Sequence, residues 1–247
     1  MVTSFVSPEA SNQNVLALVG FGADGWGFSL LTASGVTIAA AACGFGLGTV
    51  LGIIGARLKL SAVAPFRWIG NIYTTIFRGL PEILVIYVFY FGSSLALTRF
   101  LNYAGYAGFL SAPSFVIGVV SIGIVSGAYQ TETYRAAFQR IERGQIEAGR
   151  ACGMSDFTLL WRIIAPQTLR FALPALANIW QSVIKETALL SVISLIELLR
   201  EASLAAGSTQ QPLLFYGLAG LIYLTIGRIT GFGFVAVEKH LAVPWKR

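Results

Sequence analysis

Apolar residues run along this chain in five long blocks, at 30–56, 69–97, 114–137, 174–196 and 213–237, with short polar stretches between them. A helix needs about 20 largely apolar residues to cross a hydrocarbon core of about 30 Å, and every block reaches that length. The pattern predicts an all-α, polytopic membrane protein with five transmembrane helices. Residues 1–29 are expected to form an external N-terminal segment, without the basic start and cleavage site of a secretory signal, and residues 30–247 a single transmembrane domain.

Details within the blocks refine this reading. Gly44, Gly48 and Gly52 recur every fourth residue in the first block, the small-residue ladder by which membrane helices approach closely. Pro81 falls inside the second and predicts a bend there. Pro174 is expected in the first turn of the fourth. Residues 99–113 and 197–212 read as outer segments.

The longest polar interruption is Gln145 to Pro166, within a loop spanning about 139–170. Two short helices separated by Gly153 fit it, because a residue tolerant of left-handed backbone angles is needed just past a helix end. Ser155 is placed to cap the second helix. That helix sets Phe157, Leu160, Trp161 and Ile164 on one face, with Asp156, Thr158 and Arg162 turned away. A short, half-apolar, charged hairpin of this kind needs a surface to dock on.

Composition agrees with a membrane protein. Hydrophobic residues make up 55% of the 247 and charged residues 11%, and the mean hydropathy is +0.72, values incompatible with a wet-surfaced soluble domain. The net charge of +6 is spread over positions flanking the blocks and forms no patch for nucleic acid. Of the 17 Lys and Arg, twelve (57, 59, 67, 135, 140, 143, 150, 162, 170, 239, 246, 247) fall on one side of a five-span topology. Two (99 and 200) fall on the other, and three lie within spans. Cytoplasmic loops collect cations, so the N-terminus is expected outside and the C-terminus and the 139–170 loop in the cytoplasm. Cys43 and Cys152 are far apart and imply neither a disulfide nor a metal site.

Charges inside spans are costly and usually functional. Arg78 and Glu82 stand four apart on one helical face and can neutralise each other, whereas Lys185 and Glu186 point about 100° apart and need partners elsewhere. Arg228 is placed to snorkel toward the headgroups. Catalytic classes fare poorly. No Gly-Lys pair exists for a phosphate-binding loop, the only histidine is His240, and Asp24 and Asp156 lie outside spans. A channel or secondary transporter acting alone stays open on these grounds.

Three motifs resemble those of ATP-binding-cassette (ABC) importer permeases. Glu147, Ala148, Gly149, Gly153 and the run Ile163 to Pro166 resemble their cytoplasmic "EAA" loop, with Gly149 in place of the second alanine. That departure is expected to loosen the turn by up to about 1 kcal/mol. Arg78-Gly79-Leu80-Pro81-Glu82 and Lys185-Glu186-Thr187 through Ile193 resemble signatures of the polar amino-acid uptake permeases, in particular the histidine, lysine-arginine and opine (octopine or nopaline) branch.

The resemblance implies the type I importer permease fold in a bacterial inner membrane, and transport of basic or polar amino acids or opines. It implies a non-catalytic subunit that binds no cofactor itself, with ATP and Mg on two partner ATPase subunits. A second permease subunit, preferably forming a heterodimer, and an external or periplasmic substrate-binding protein complete the complex, with membrane lipid around it. Gln145, Glu147, Ala148, Gly149 and Gly153 are then the candidates for ATPase coupling. Arg78, Pro81, Glu82, Lys185, Glu186 and Thr187 are the candidates for the substrate pathway.

Overall fold

A computed structural model of the chain describes residues 18–22, 25–103 and 113–241. Most of the expected N-terminal segment, much of the 99–113 outer segment and the last six residues lie outside that range. Among the described residues the secondary structure is entirely helical.

Helix α1 (Gly27–Leu60) is 34 residues long and ends on Arg57 and Lys59, cations that suit a helix C-terminus. Helix α4 (Ser114–Gln139) lies at the centre of the bundle and is the most buried of the long apolar helices. The two meet along the predicted glycine ladder. A β-carbon on Gly44 or Gly52 would stand 2.8 Å from Ile122 or Gln130, and one on Gly48 would collide with Ser126. Where side chains are this small, polar groups can bridge the helices. Gln130, fully buried, donates to the Phe45 carbonyl at 3.2 Å and accepts from Thr49 at 2.9 Å.

The second apolar block is two helices and not one bent span: α2 (Ala64–Gly79) and α3 (Glu82–Tyr103). The chain leaves the helix at Leu80, whose backbone is extended (φ −91°, ψ 143°). A proline excludes its predecessor from the helical region, so Pro81 breaks the block outright. Pro81 then starts α3 by accepting from Leu84 and Val85.

The second half departs further from expectation. After α5 (Arg143–Ala151), helix α6 (Asp156–Leu159) passes through a π-helical turn (Leu160–Ile164) directly into α7 (Ala165–Glu186). The loop's second helix and the fourth block are thus one continuous run. Pro166 occupies the first turn of α7, and Pro174 sits in its interior. A 3₁₀ helix (Thr187–Ile193) follows and ends at Ser194 in a left-handed conformation (φ 62°).

Residues 197–212, expected as an outer segment, are largely helical and not an open loop. They hold α8 (Leu198–Thr209), whose Leu198, Ala202, Ala205 and Ala206 are buried at helical spacing. The last helix, α9 (Pro212–Leu241), packs on α7 and α8. Four helices are long and apolar enough to cross a membrane, at Gly27–Leu60, Glu82–Phe100, Ser114–Gln139 and Pro212–His240. Helix α7 has the length, at 22 residues, but is more polar, so the expected five spans resolve into four apolar helices and this one.

Candidate functional site

The 139–170 loop is built as its sequence requires. Helix α5 ends in a Schellman motif: Met154 N–H donates to the Gly149 carbonyl at 3.1 Å, and Gly153 N–H to that of Arg150 at 2.9 Å. Gly153 takes the left-handed conformation at φ 78°. Ser155 caps α6 by accepting from Thr158 N–H at 3.3 Å. The glycine at 149 also acquires a reason. A β-carbon there would stand 2.5 Å from Leu159 Cδ1 and 3.3 Å from Ile163 Cδ1, so a side chain at position 149 would require the Leu159 terminal methyl to turn aside.

The face that packs against α5 is Leu159 and Ile163, a pair lying beside the expected face of Phe157, Leu160, Trp161 and Ile164. Leu159 is 1% exposed, whereas Phe157 and Trp161 are 72% and 61% exposed with their rings 6.2 Å apart. Leu160, Trp161 and Ile164 line a groove against α1. Gln145, Glu147 and Ala148 are exposed on α5, and Gln145 accepts a hydrogen bond from Gln167 at 2.7 Å. The tip of the loop thus presents a carboxylate and two aromatic rings outward.

The residues singled out within the spans separate into three places. Arg78 does not pair with Glu82, because the break at Leu80–Pro81 destroys the helical spacing between them. The Arg78 guanidinium lies 5.4 Å from the centroid of the Tyr129 ring and borders a cavity of about 480 Å³ with Glu132, Arg140 and Asn178. Glu82, in the first turn of α3, instead meets the carboxyl group of Glu186 at the end of α7. Lys185 points toward a separate cavity of about 550 Å³ between α7 and α9, bordered also by Gln181 and Arg228. Thr187 is buried and donates to the Ile184 carbonyl at 2.7 Å. The arrangement joins two acids from broken helix ends, where repulsion between carboxylates makes a cation welcome.

Two polar clusters escaped sequence reasoning. Glu197, fully buried, accepts from the Leu199 and Arg200 N–H groups at 2.9 and 2.8 Å and from the Tyr223 hydroxyl at 2.7 Å. Beside it Leu198 N–H donates to Thr37 Oγ1 at 3.1 Å, so α1, α8 and α9 converge on one helix start. The signal available was the apolar spacing 198, 202, 205 and 206 that follows the acid. Farther down, Lys59 forms an ion pair with Glu132 and donates to Thr74 at 2.8 Å, while Arg135 holds the other Glu132 oxygen at 2.9 Å. This ties α1, α2 and α4 together near the ends that carry the cations.

Comparison with known proteins follows this geometry closely. Residues 48–241 match the family described as the binding-protein-dependent transport system inner membrane component. The chain is 47% identical over 223 residues to the octopine transport system permease protein OccQ of Rhizobium radiobacter, covering 90% of this chain and 94% of that protein. It is 36% identical over 211 residues to the arginine ABC transporter permease protein ArtQ of Escherichia coli K12, covering 81% and 89%. A crystal structure of an amino acid ABC transporter with histidines superposes with a TM-score of 0.73 at 26% identity, over 87% of this chain and 95% of that one. A permease that depends on a binding protein does not act alone, which sets aside the channel or secondary transporter. The chain belongs to the inner-membrane component family of binding-protein-dependent transport systems, with the type I importer permease fold, and is a multi-pass, non-catalytic permease subunit of an ABC importer whose ATPase is a separate chain.

Proposed function

We propose that this permease subunit carries solutes with cationic side chains, basic amino acids or opines, from an external binding protein to the cytoplasm by alternating access. The observation that carries the reading is the meeting of Glu82 and Glu186 at the broken ends of α3 and α7. A guanidinium or ammonium group between two carboxylates would relieve their repulsion and form charge-assisted hydrogen bonds. The named cargoes of the relatives point the same way: octopine, nopaline, arginine, and histidine with lysine, arginine and ornithine. Irregular backbone around such a site is tolerated where it lines a cavity.

The loop end carrying Glu147, Ala148, Phe157 and Trp161 is assigned to the ATPase, where ATP and Mg are bound. Small residues on α5 permit close backbone approach, and Glu147 fixes orientation. On this reading the loop and the C-terminus are cytoplasmic and the N-terminus is outside, a topology that the cation asymmetry supports. A second, non-identical permease subunit completes the pathway. The test is uptake into vesicles by the assembled importer, with arginine, lysine, histidine, ornithine, octopine and nopaline compared against glutamine. Preference for glutamine over every cationic solute would refute the reading.

A further inference from the structure

A groove of about 500 Å³ lies apart from the acidic pair and shares only Trp161 with the exposed tip of the loop, between the last turns of α1, the end of α4 and the start of the α6–α7 run. Its walls are almost wholly apolar, with Ile53, Leu60, Phe138, Leu160 and Ile164 among them. Along α1 it extends from Thr49 to Leu60, about 16 Å at 1.5 Å per residue. That matches one leaflet of a core about 30 Å thick. Two groups at its rim lack partners. Arg57 has no ion pair or hydrogen bond among the described residues. Thr168 Oγ1 is buried and also unpartnered, unlike Thr37, Thr49 and Thr131, which donate to a carbonyl one turn back. Trp161 closes the mouth of the groove on the side of the loop.

We propose that this groove binds an anionic phospholipid of the cytoplasmic leaflet, one acyl chain along the apolar wall, its phosphate on Arg57 and an ester carbonyl on Thr168. Length, charge and the orphan hydroxyl fit that one ligand together. A protein helix would offer Thr168 no free acceptor, since its carbonyls are paired internally. The lipid would touch Leu160, Trp161 and Ile164, the π-helical turn by which the loop enters α7. Its presence would then stiffen the joint between loop and membrane helix. The choice of leaflet rests on the orientation proposed above; the groove and its occupant do not.

The test is native mass spectrometry of whatever assembly the tagged chain brings down, in nanodiscs of equal parts phosphatidylglycerol and phosphatidylcholine. The lipid count stands whether or not an ATPase is retained, and so is independent of the transport reading. Retained phosphatidylglycerol is expected to exceed phosphatidylcholine about fivefold, the weight of one interfacial arginine. Arg57→Gln should abolish that preference while leaving one lipid bound, and Ala165→Trp, which fills the groove, should remove the lipid. Equal retention of both lipids by the unaltered protein overturns the proposal. So does a preference that survives both substitutions, or the release by Ala165→Trp of a protein partner with no change in lipid.

Discussion

Gly149 lies so close to Leu159 that a β-carbon on it would stand 2.5 Å from Leu159 Cδ1. The two halves of the loop therefore meet through Gly149 and the terminal methyl of Leu159. Gly149→Ala gains up to about 1 kcal/mol of helix propensity but overpacks the contact at a cost of about 1–3 kcal/mol. Leu159 is 1% exposed and packed on all sides, so overpacking is expected to win and the hairpin to loosen. The expected outcome is less ATPase co-purified at unchanged membrane insertion, with partial recovery in Gly149→Ala/Leu159→Ala. Glu147→Lys should lose the ATPase without recovery, since it alters the docking face and not the fold.

Glu82 and Glu186 form one acidic pair, so their removals should not add. Glu82→Gln and Glu186→Gln are each expected to lower uptake of arginine about tenfold or more, the size of a charge-assisted hydrogen bond. The double variant should be little worse than either single one. Basal ATP hydrolysis should change less. Additive losses in a double-mutant cycle of uptake would show two separate sites.

Glu197 supports a helix start, two backbone N–H groups and a phenol at once. Glu197→Ala leaves all three without a partner and is expected to destabilise the subunit by about 2–4 kcal/mol. Tyr223→Phe removes one hydrogen bond and should cost about 1 kcal/mol. Thermal unfolding in detergent measures both. Equal effects would mean that the backbone caps do not depend on the carboxylate.

Cys152 is exposed beside Gly153, and Cys43 lies exposed well inside α1. A membrane-impermeant thiol reagent should label the protein in inside-out vesicles and spare it in intact cells, with Cys152→Ser abolishing the signal. A reporter after Arg247 should also read as cytoplasmic, and one before Met1 as external. Labelling of Cys152 from outside would invert the proposed orientation.

Local chemistry was legible wherever one residue type dictates a backbone state. Gly153, Ser155 and the ladder from Gly44 to Gly52 do what their types require, because caps and close approaches depend on near neighbours. Helix continuity was harder to read. Pro81 is expected to bend a span and Pro174 to start one, yet the chain breaks at the first and continues through the second, since packing on neighbouring helices decides whether a lost hydrogen bond ends a helix. Hydropathy also misplaced Glu197, because an acid beside Arg200 reads as solvated until Thr37 and Tyr223 arrive from other helices to enclose it. The partnership of Glu82 with Glu186 depends on that same tertiary closure, and no spacing along the chain encodes it.

The unbroken run from Asp156 to Glu186 is a lever of about 46 Å. Its fulcrum is where Ala172 and Leu176 of α7 press on Ala137 of α4. Measured from the middle of that contact, the arm toward Phe157 and Trp161 averages about 23 Å and the arm toward Glu186 is about 18 Å. A sideways push on Phe157 and Trp161 would therefore swing Glu186 the opposite way by about four fifths as much. The acidic pair would part or close without any residue between changing its conformation. If the tip is where the ATPase pushes, as proposed, the subunit would gate by leverage, and the compliance of the π-helical turn would set how much of each stroke arrives.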